Sequence, residues 1–185
     1  MATSTARALP IPPRATPLGA DWTALAGLGL CAGLPLGLFG LANLLAESLG
    51  HAPLFFSPFG LPGWAGAIFH LGLLPLLGAA GWIVGQTRQG RKAQTWLAVL
   101  AAALIVFPFL VAPLPSLALS LISMTLLVLA FGTAIRVAAI SRKAAWLLAP
   151  VLFWLAVSAV LGLALTAAWS PPFGLVQANQ PAPGA

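Results

Sequence analysis

The sequence predicts an all-α integral membrane bundle of five transmembrane helices, and three observations carry that expectation. The chain of 185 residues is 61% hydrophobic and only 5% charged, with a mean hydropathy of +1.04, whereas a soluble domain carries about 25% charged residues. Its apolar residues fall into five stretches, each long enough at ~1.5 Å per helical residue to reach across a hydrocarbon core of ~30 Å, with some help from the interfaces. The eight Lys and Arg are confined to three places: Arg7 and Arg14, Arg88 to Lys92, and Arg136 to Lys143. With five spans all three places lie on one side of the membrane, as the positive-inside rule demands, and an even number of spans would scatter them. The N-terminus is therefore expected in the cytoplasm and the C-terminus on the opposite side.

Residues 1–20 are rich in Pro, Thr and Ala and lack helical periodicity, which predicts a disordered cytoplasmic tail. A signal peptide is the alternative, but the apolar run that follows exceeds the ~7–15 residues of a signal core. The first span is residues 22–45. Gly29, Gly33 and Gly37 recur on one face of it and Pro35 kinks it. That face can seat a neighbouring helix, a second copy of the chain, or the wall of a cavity. Residues 46–63 form a loop with three Pro, three Phe and no Lys or Arg. Such a loop either folds back as a lid over the bundle or dips Phe55, Phe56 and Phe59 into the lipid interface.

The second span, residues 64–84, places Trp64 and Trp82 18 residues apart, or ~27 Å, the separation of the two aromatic belts of a bilayer. His70 lies between them and is the one ionisable side chain well inside any span. It is expected to face the bundle interior, either hydrogen-bonded there or lining a pocket. The third and fourth spans, residues 96–112 and 117–135, are parted by Pro113 and Pro115, and Pro108 should kink the third. The fifth span, residues 144–169, has Trp146 and Trp169 near its ends and Trp154 inside, where the indole N–H needs a partner. Residues 171–185 are a Pro-rich tail expected to be disordered.

Several functions are excluded by composition. Asp21 and Glu47 are the only carboxylates and fall at opposite ends of the first span, so no acid–base pair exists and the protein is not expected to be an enzyme. Cys31 is the single cysteine, His70 has no ligand-spaced companion, and no metal site is expected. No basic stripe with interleaved aromatic readers appears, so nucleic acid is not a partner. An ion channel is disfavoured, since no span repeats acidic or polar residues.

Pro150, Val151, Leu152, Phe153 and Trp154 resemble a Pro, Tyr, Leu, any residue, Trp pattern, and LPGW from Leu61 to Trp64 resembles a Pro, Pro, x, Trp helix entry. These motifs, with GAAGWIV from Gly78 to Val84 and FPFLVAPLPS before the short hairpin, are similar to those of the TspO/MBR family of tryptophan-rich sensory and translocator proteins. The likeness runs in order over about residues 22–169, as in a divergent member. The chain has no Tyr, so Val151 stands at the motif's Tyr and a Tyr-dependent sterol-contact pattern is absent. Leu161 and Gly162 stand for the family's Leu-Asn pair, and His70 for a Trp of the second span. The resemblance implies a pocket among the five helices, under the first loop, for a small apolar ligand such as a porphyrin or haem.

The candidate ligand contacts are then Trp154 and Phe153 as aromatic walls, Pro150 and Ser158 beside them, and His70 as polar contact or axial ligand. Trp64 joins them, with Phe55, Phe56 and Phe59 as the cover. Pro150, Trp154, Ser158, Gly162 and Thr166 recur at intervals of four, a row that suits a ligand notch or a helix seat equally. The contrasting expectation is a structural or assembly subunit that dimerises through Gly29, Gly33 and Gly37.

Overall fold

The computed structural model describes residues 22–57, 61–111 and 114–169. The two terminal tails, Asp21, Phe59 and Pro113 lie outside the described residues. All regular structure among those described is helical: α1 (Trp22–Ser48), α2 (Gly63–Gly85), α3 (Arg91–Leu110), α4 (Ser116–Ala138), α5 (Arg142–Leu147) and α6 (Ala149–Trp169). Five segments are long and apolar enough to cross a membrane, the fifth being α5 and α6 together. The chain is an integral, multi-pass membrane protein.

The fifth span is not one continuous helix. Pro150 lacks the N–H that an unbroken helix would direct at the Trp146 carbonyl. The Leu148 amide turns back to Ala145 and Trp146 instead, and α6 starts afresh with Pro150 in its first turn. Ser141 caps the short α5, its hydroxyl accepting from the Ala144 N–H at 3.3 Å.

Packing is pairwise. α1 lies along α2, α6 lies along α4, α3 fills the space between α2 and α4, and α5 bridges α2 and α4. Strict alternation of direction puts the α2–α3 and α4–α5 turns, with Arg88, Arg91, Lys92, Arg136, Arg142 and Lys143, at one end of the bundle. The loop between α1 and α2 lies at the other. At the basic end α5 closes the bundle, and Val84, Leu100, Val137, Ala144, Leu148 and Val151 are wholly buried.

The close approach of α1 to α2 does not use the Gly29, Gly33, Gly37 face. A Cβ at any of those three would meet open space, whereas one at Gly78 would strike the Cys31 carbonyl. Cys31 precedes Pro35 by four residues, so its carbonyl has lost its helical donor and the bare backbone of α2 can lie against it. Trp82 likewise rests on Gly27, which makes it a packing residue of the α1–α2 pair.

Candidate functional site

Pro108 organises the loop end. As a proline in the last turn of α3 it leaves two carbonyls without helical donors: Leu104, four residues back, and its own, within the unpaired last turn. In a segment immersed in lipid an unsatisfied carbonyl costs several kcal/mol, so both must find donors. The His70 Nε2–H of α2 donates to the Leu104 carbonyl at 2.8 Å, and the Leu54 amide of the first loop donates to the Pro108 carbonyl at 2.9 Å. One backbone turn thus fixes α2 and the loop against α3. Because Nε2 carries the proton of that bond, Nδ1 is the nitrogen left to accept, and the Phe55 ring lies over the imidazole at 5.6 Å.

The described part of the loop, up to Ser57, folds back onto the bundle. Gly50, at φ +74°, ends α1 in a left-handed turn, and the amides of Gly50 and His51 return to Glu47 and Ala46. Phe55 then packs on Phe39 at 6.0 Å, and Phe39 stacks on Phe109 at 5.6 Å. Phe56 meets the edge of Trp154 at 6.2 Å, and Phe69 of α2 stacks on the same indole at 5.1 Å. Gly66 allows this seat, because a Cβ there would collide with the Phe56 carbonyl and the Ser57 hydroxyl. The Gly66 amide instead donates to Ser57 Oγ at 3.3 Å, and Ser57 donates to the Pro62 carbonyl at 3.1 Å.

Under the loop is a recess of ≈ 430 Å³ between α3, α4 and α6. Phe55, Phe56 and Phe107 form its aromatic side, and Ser120, Ser123, Ser158 and Thr166 its hydroxyl side, around Gly162. Ser120 and Thr166 bond to each other at 2.8 Å across α4 and α6, and Thr166 also donates to the Gly162 carbonyl. Ser123 and Ser158 are buried to more than nine-tenths. Among the described residues neither hydroxyl has a hydrogen-bond partner, and neither is sealed off from the recess. A smaller void deeper in, lined by His70, Gly66, Trp154 and Ser158, adjoins it. Apolar surface with two free hydroxyls suits an apolar ligand with a few polar edges.

A larger groove, ≈ 540 Å³, runs along the outside of the bundle between α1 and α3 with α2 as its floor. Apart from Gln86 and Gln94 its lining is apolar or Cys31, and Gln94 is already engaged with the Gly81 carbonyl at 3.3 Å. Its polar side chains, Gln86 and Gln94, sit at one end, whereas hydroxyls line the loop-covered recess around its volume, so that recess is the candidate site.

Of the residues expected to contact a ligand, the structure gathers Trp154, Ser158, His70, Phe55 and Phe56 around the recess and its deeper void. Phe153 is 71% exposed and points away from the bundle, as does Trp64 at 65%, and Pro150 is also exposed. The reason is helical rotation. Val151, Leu155 and Ser158 carry the inward face of α6, which turns Phe153 outward, and a row at intervals of four drifts ~40° per step. Pro150 and Thr166, four steps apart, therefore face nearly opposite ways. Phe59 lies outside the described residues. Ser120, Ser123 and Phe107 were not anticipated, whereas Thr166 stood in the row at intervals of four. Their signal was available for the hydroxyls: Ser120 and Ser123 are polar groups one turn apart in an apolar span, and such groups turn to the interior.

No curated protein matches the chain. The profile of the TspO/MBR family matches residues 29–168, from the first helix through the fifth span and well over half of the sequence. The chain belongs to the TspO/MBR family.

Proposed function

We propose that the protein binds, and thereby senses or transports, a flat apolar ligand of the porphyrin class in the loop-covered recess, without catalysing its conversion. The observation that carries this reading is the pair of partnerless hydroxyls, Ser123 and Ser158, directed into an otherwise apolar recess. A buried hydroxyl left without a partner is costly, and a ligand with polar edges would supply one. The aromatic faces of Phe55, Phe56 and Phe107 would cover the ring, and Trp154 lies close enough to report its arrival. An axial bond from His70 to haem iron through Nε2 would require release of the Leu104 carbonyl, so His70 serves this reading as a support for the recess wall.

Titration of the purified protein with protoporphyrin, read by Trp fluorescence, tests the proposal. Saturable quenching is expected, with affinity about tenfold weaker in a Ser123→Ala, Ser158→Ala double variant, given ~0.5–1.5 kcal/mol per hydrogen bond. Absence of saturable quenching, or equal affinity in the double variant, sinks it. The basic end is proposed to face the cytoplasm and the C-terminus the opposite side, on the distribution of Lys and Arg. Cytoplasmic accessibility of a tag at Ala185 would overturn that orientation.

A second reading, self-association through α1, is favoured by the open space beside Gly29, Gly33 and Gly37 and by the exposure of Leu30 and Leu34 between them. Gly33→Leu would block such a contact, because small residues are what let two helices approach. A dimer that persists in that variant removes the reading.

A further inference from the structure

At the basic end, on the opposite side of the bundle from the α1–α3 groove, the start of α3 and the end of α4 enclose a recess of ≈ 470 Å³. Gln89, Lys92, Thr95 and Trp96 line one side, and Arg136 and Ile140 the other. The Arg136 guanidinium lies over the Trp96 ring, its central carbon 4.0 Å from the ring centroid, and its Nη1–H donates to the Gly132 carbonyl at 3.0 Å. Gly132 lies beside the folded-back guanidinium, and a Cβ there would come only into ordinary contact with Nη1, at 3.4 Å.

Two contacts hold this long side chain still, and both leave donors over. A guanidinium has five N–H groups, and stacking on indole uses its face rather than its edge. Among the described residues the only side-chain carboxylate is Glu47, at the loop end of α1, so none of those residues offers Arg136 or Lys92 an anionic side chain at the basic end. Thr95 turns its hydroxyl to the Arg91 carbonyl at 3.1 Å, which leaves its oxygen beside the recess and its donor occupied. The folding of Arg136 toward Gly132 also matters, because it carries the charge one helical turn from the end of α4 toward the membrane interior. It comes to rest at the level of Trp96, where indoles mark the headgroup zone.

We propose that this recess binds the phosphate of an anionic phospholipid, with Arg136 and Lys92 as its cationic partners. The lipid source is favoured over a soluble phosphate by what lies inward of the charges. Val99, one turn in from Trp96, is 49% exposed, and Val128, two turns in from Arg136, is 68% exposed; both offer apolar surface to acyl chains. Basic pockets between helices on the side carrying the positive charge are suited to such headgroups, and the planar, preorganised guanidinium matches a phosphate edge. This site is independent of the recess under the loop and of any ligand bound there.

Thermal-shift titrations of the full-length protein in a neutral detergent, with short-chain phosphatidylglycerol, phosphatidylcholine and glycerol 3-phosphate, test it. Phosphatidylglycerol should raise the melting temperature saturably and phosphatidylcholine should not. Arg136→Gln should weaken the phosphatidylglycerol response about fivefold, as loss of one basic residue near an anionic surface implies. Arg142→Gln, which removes a cation at the same end outside the recess, should leave it unchanged. An Arg136→Gln variant that responds like the parent overturns the proposal. So does an equal loss in Arg142→Gln, which would mean diffuse charge attraction, or an equal stabilisation by glycerol 3-phosphate, which would mean a soluble anion. Should Arg136→Gln fail to fold, Lys92→Gln carries the same expectation and the same refutation.

Discussion

From the basic end to the middle of the bundle the sealed residues are mostly aliphatic, among them Val84, Leu97, Leu100, Val137, Leu148 and Val151, and the buried Thr133 hydroxyl is spent on the Leu129 carbonyl of its own helix. At the loop end apolar residues such as Phe39, Ala65, Leu104 and Ala159 are joined by the buried polar groups His70, Ser120, Ser123, Ser158 and Thr166. Both ends are made from the same helices, so the difference lies in what fills the space between them. The short α5 plugs the basic end with Ala144 and Leu148, both wholly buried. Among the described residues no such helix plugs the loop end, and a folded-back loop, proline-freed carbonyls and paired hydroxyls take its place. One end is built by filling volume, the other by satisfying hydrogen bonds around a volume left open. The first arrangement is suited to stability and the second to admitting a guest.

That contrast can be broken by substitution, and the expected effects fall in order. Leu100→Ala removes a wholly buried aliphatic side chain at the closed end and should cost about 2–5 kcal/mol in unfolding measurements, with ligand affinity of the surviving fold unchanged. His70→Leu leaves the Leu104 carbonyl without a donor and should cost about 1–3 kcal/mol. Restoration of stability in a His70→Gln variant, whose amide can donate in its place, would confirm that the hydrogen bond rather than the ring is responsible. Gly66→Val should dislodge the loop through its clash with Phe56 and Ser57. Ligand affinity should drop about tenfold or more, as expected when a well-packed cover is lost, while stability changes by less than in the two preceding variants. Last is Ser158→Ala, which removes a buried hydroxyl without a protein partner and should stabilise the ligand-free protein, by about 1 kcal/mol, rather than weaken it. A large loss there would mean that the hydroxyl is structural and that the two ends differ less than described.

The fold was readable because the signals that set it are long-range in sequence and crude in chemistry. Segregation of eight basic residues and the run lengths between Pro and Gly breaks suffice to count five spans. The site was readable only in part. Trp154 and His70 stand out as polar-capable groups inside spans, and both lie at the recess or its deeper void. Phe153 and Pro150 misled because composition does not say which way α6 is rotated. Only the partners of Val151 and Leu155 determine that, and they lie on other helices. The pairing of His70 with Leu104 was closer to hand than it looked: Pro108 orphans that carbonyl, and a helix in lipid cannot leave it orphaned. The α1 glycines show the reverse problem, since the spacing of Gly29, Gly33 and Gly37 fits close approach but the α1–α2 contact is made at Gly78 of α2.

The bond from the Leu54 amide to the Pro108 carbonyl has a further use. It joins the loop to a transmembrane helix through main chain alone, so its proton exchanges with solvent deuterium only when the cover lifts. Exchange at that single amide is therefore a clock for opening of the recess. It runs in the native protein without label or mutation, and its slowing on addition of a ligand would report how long the guest keeps the door shut.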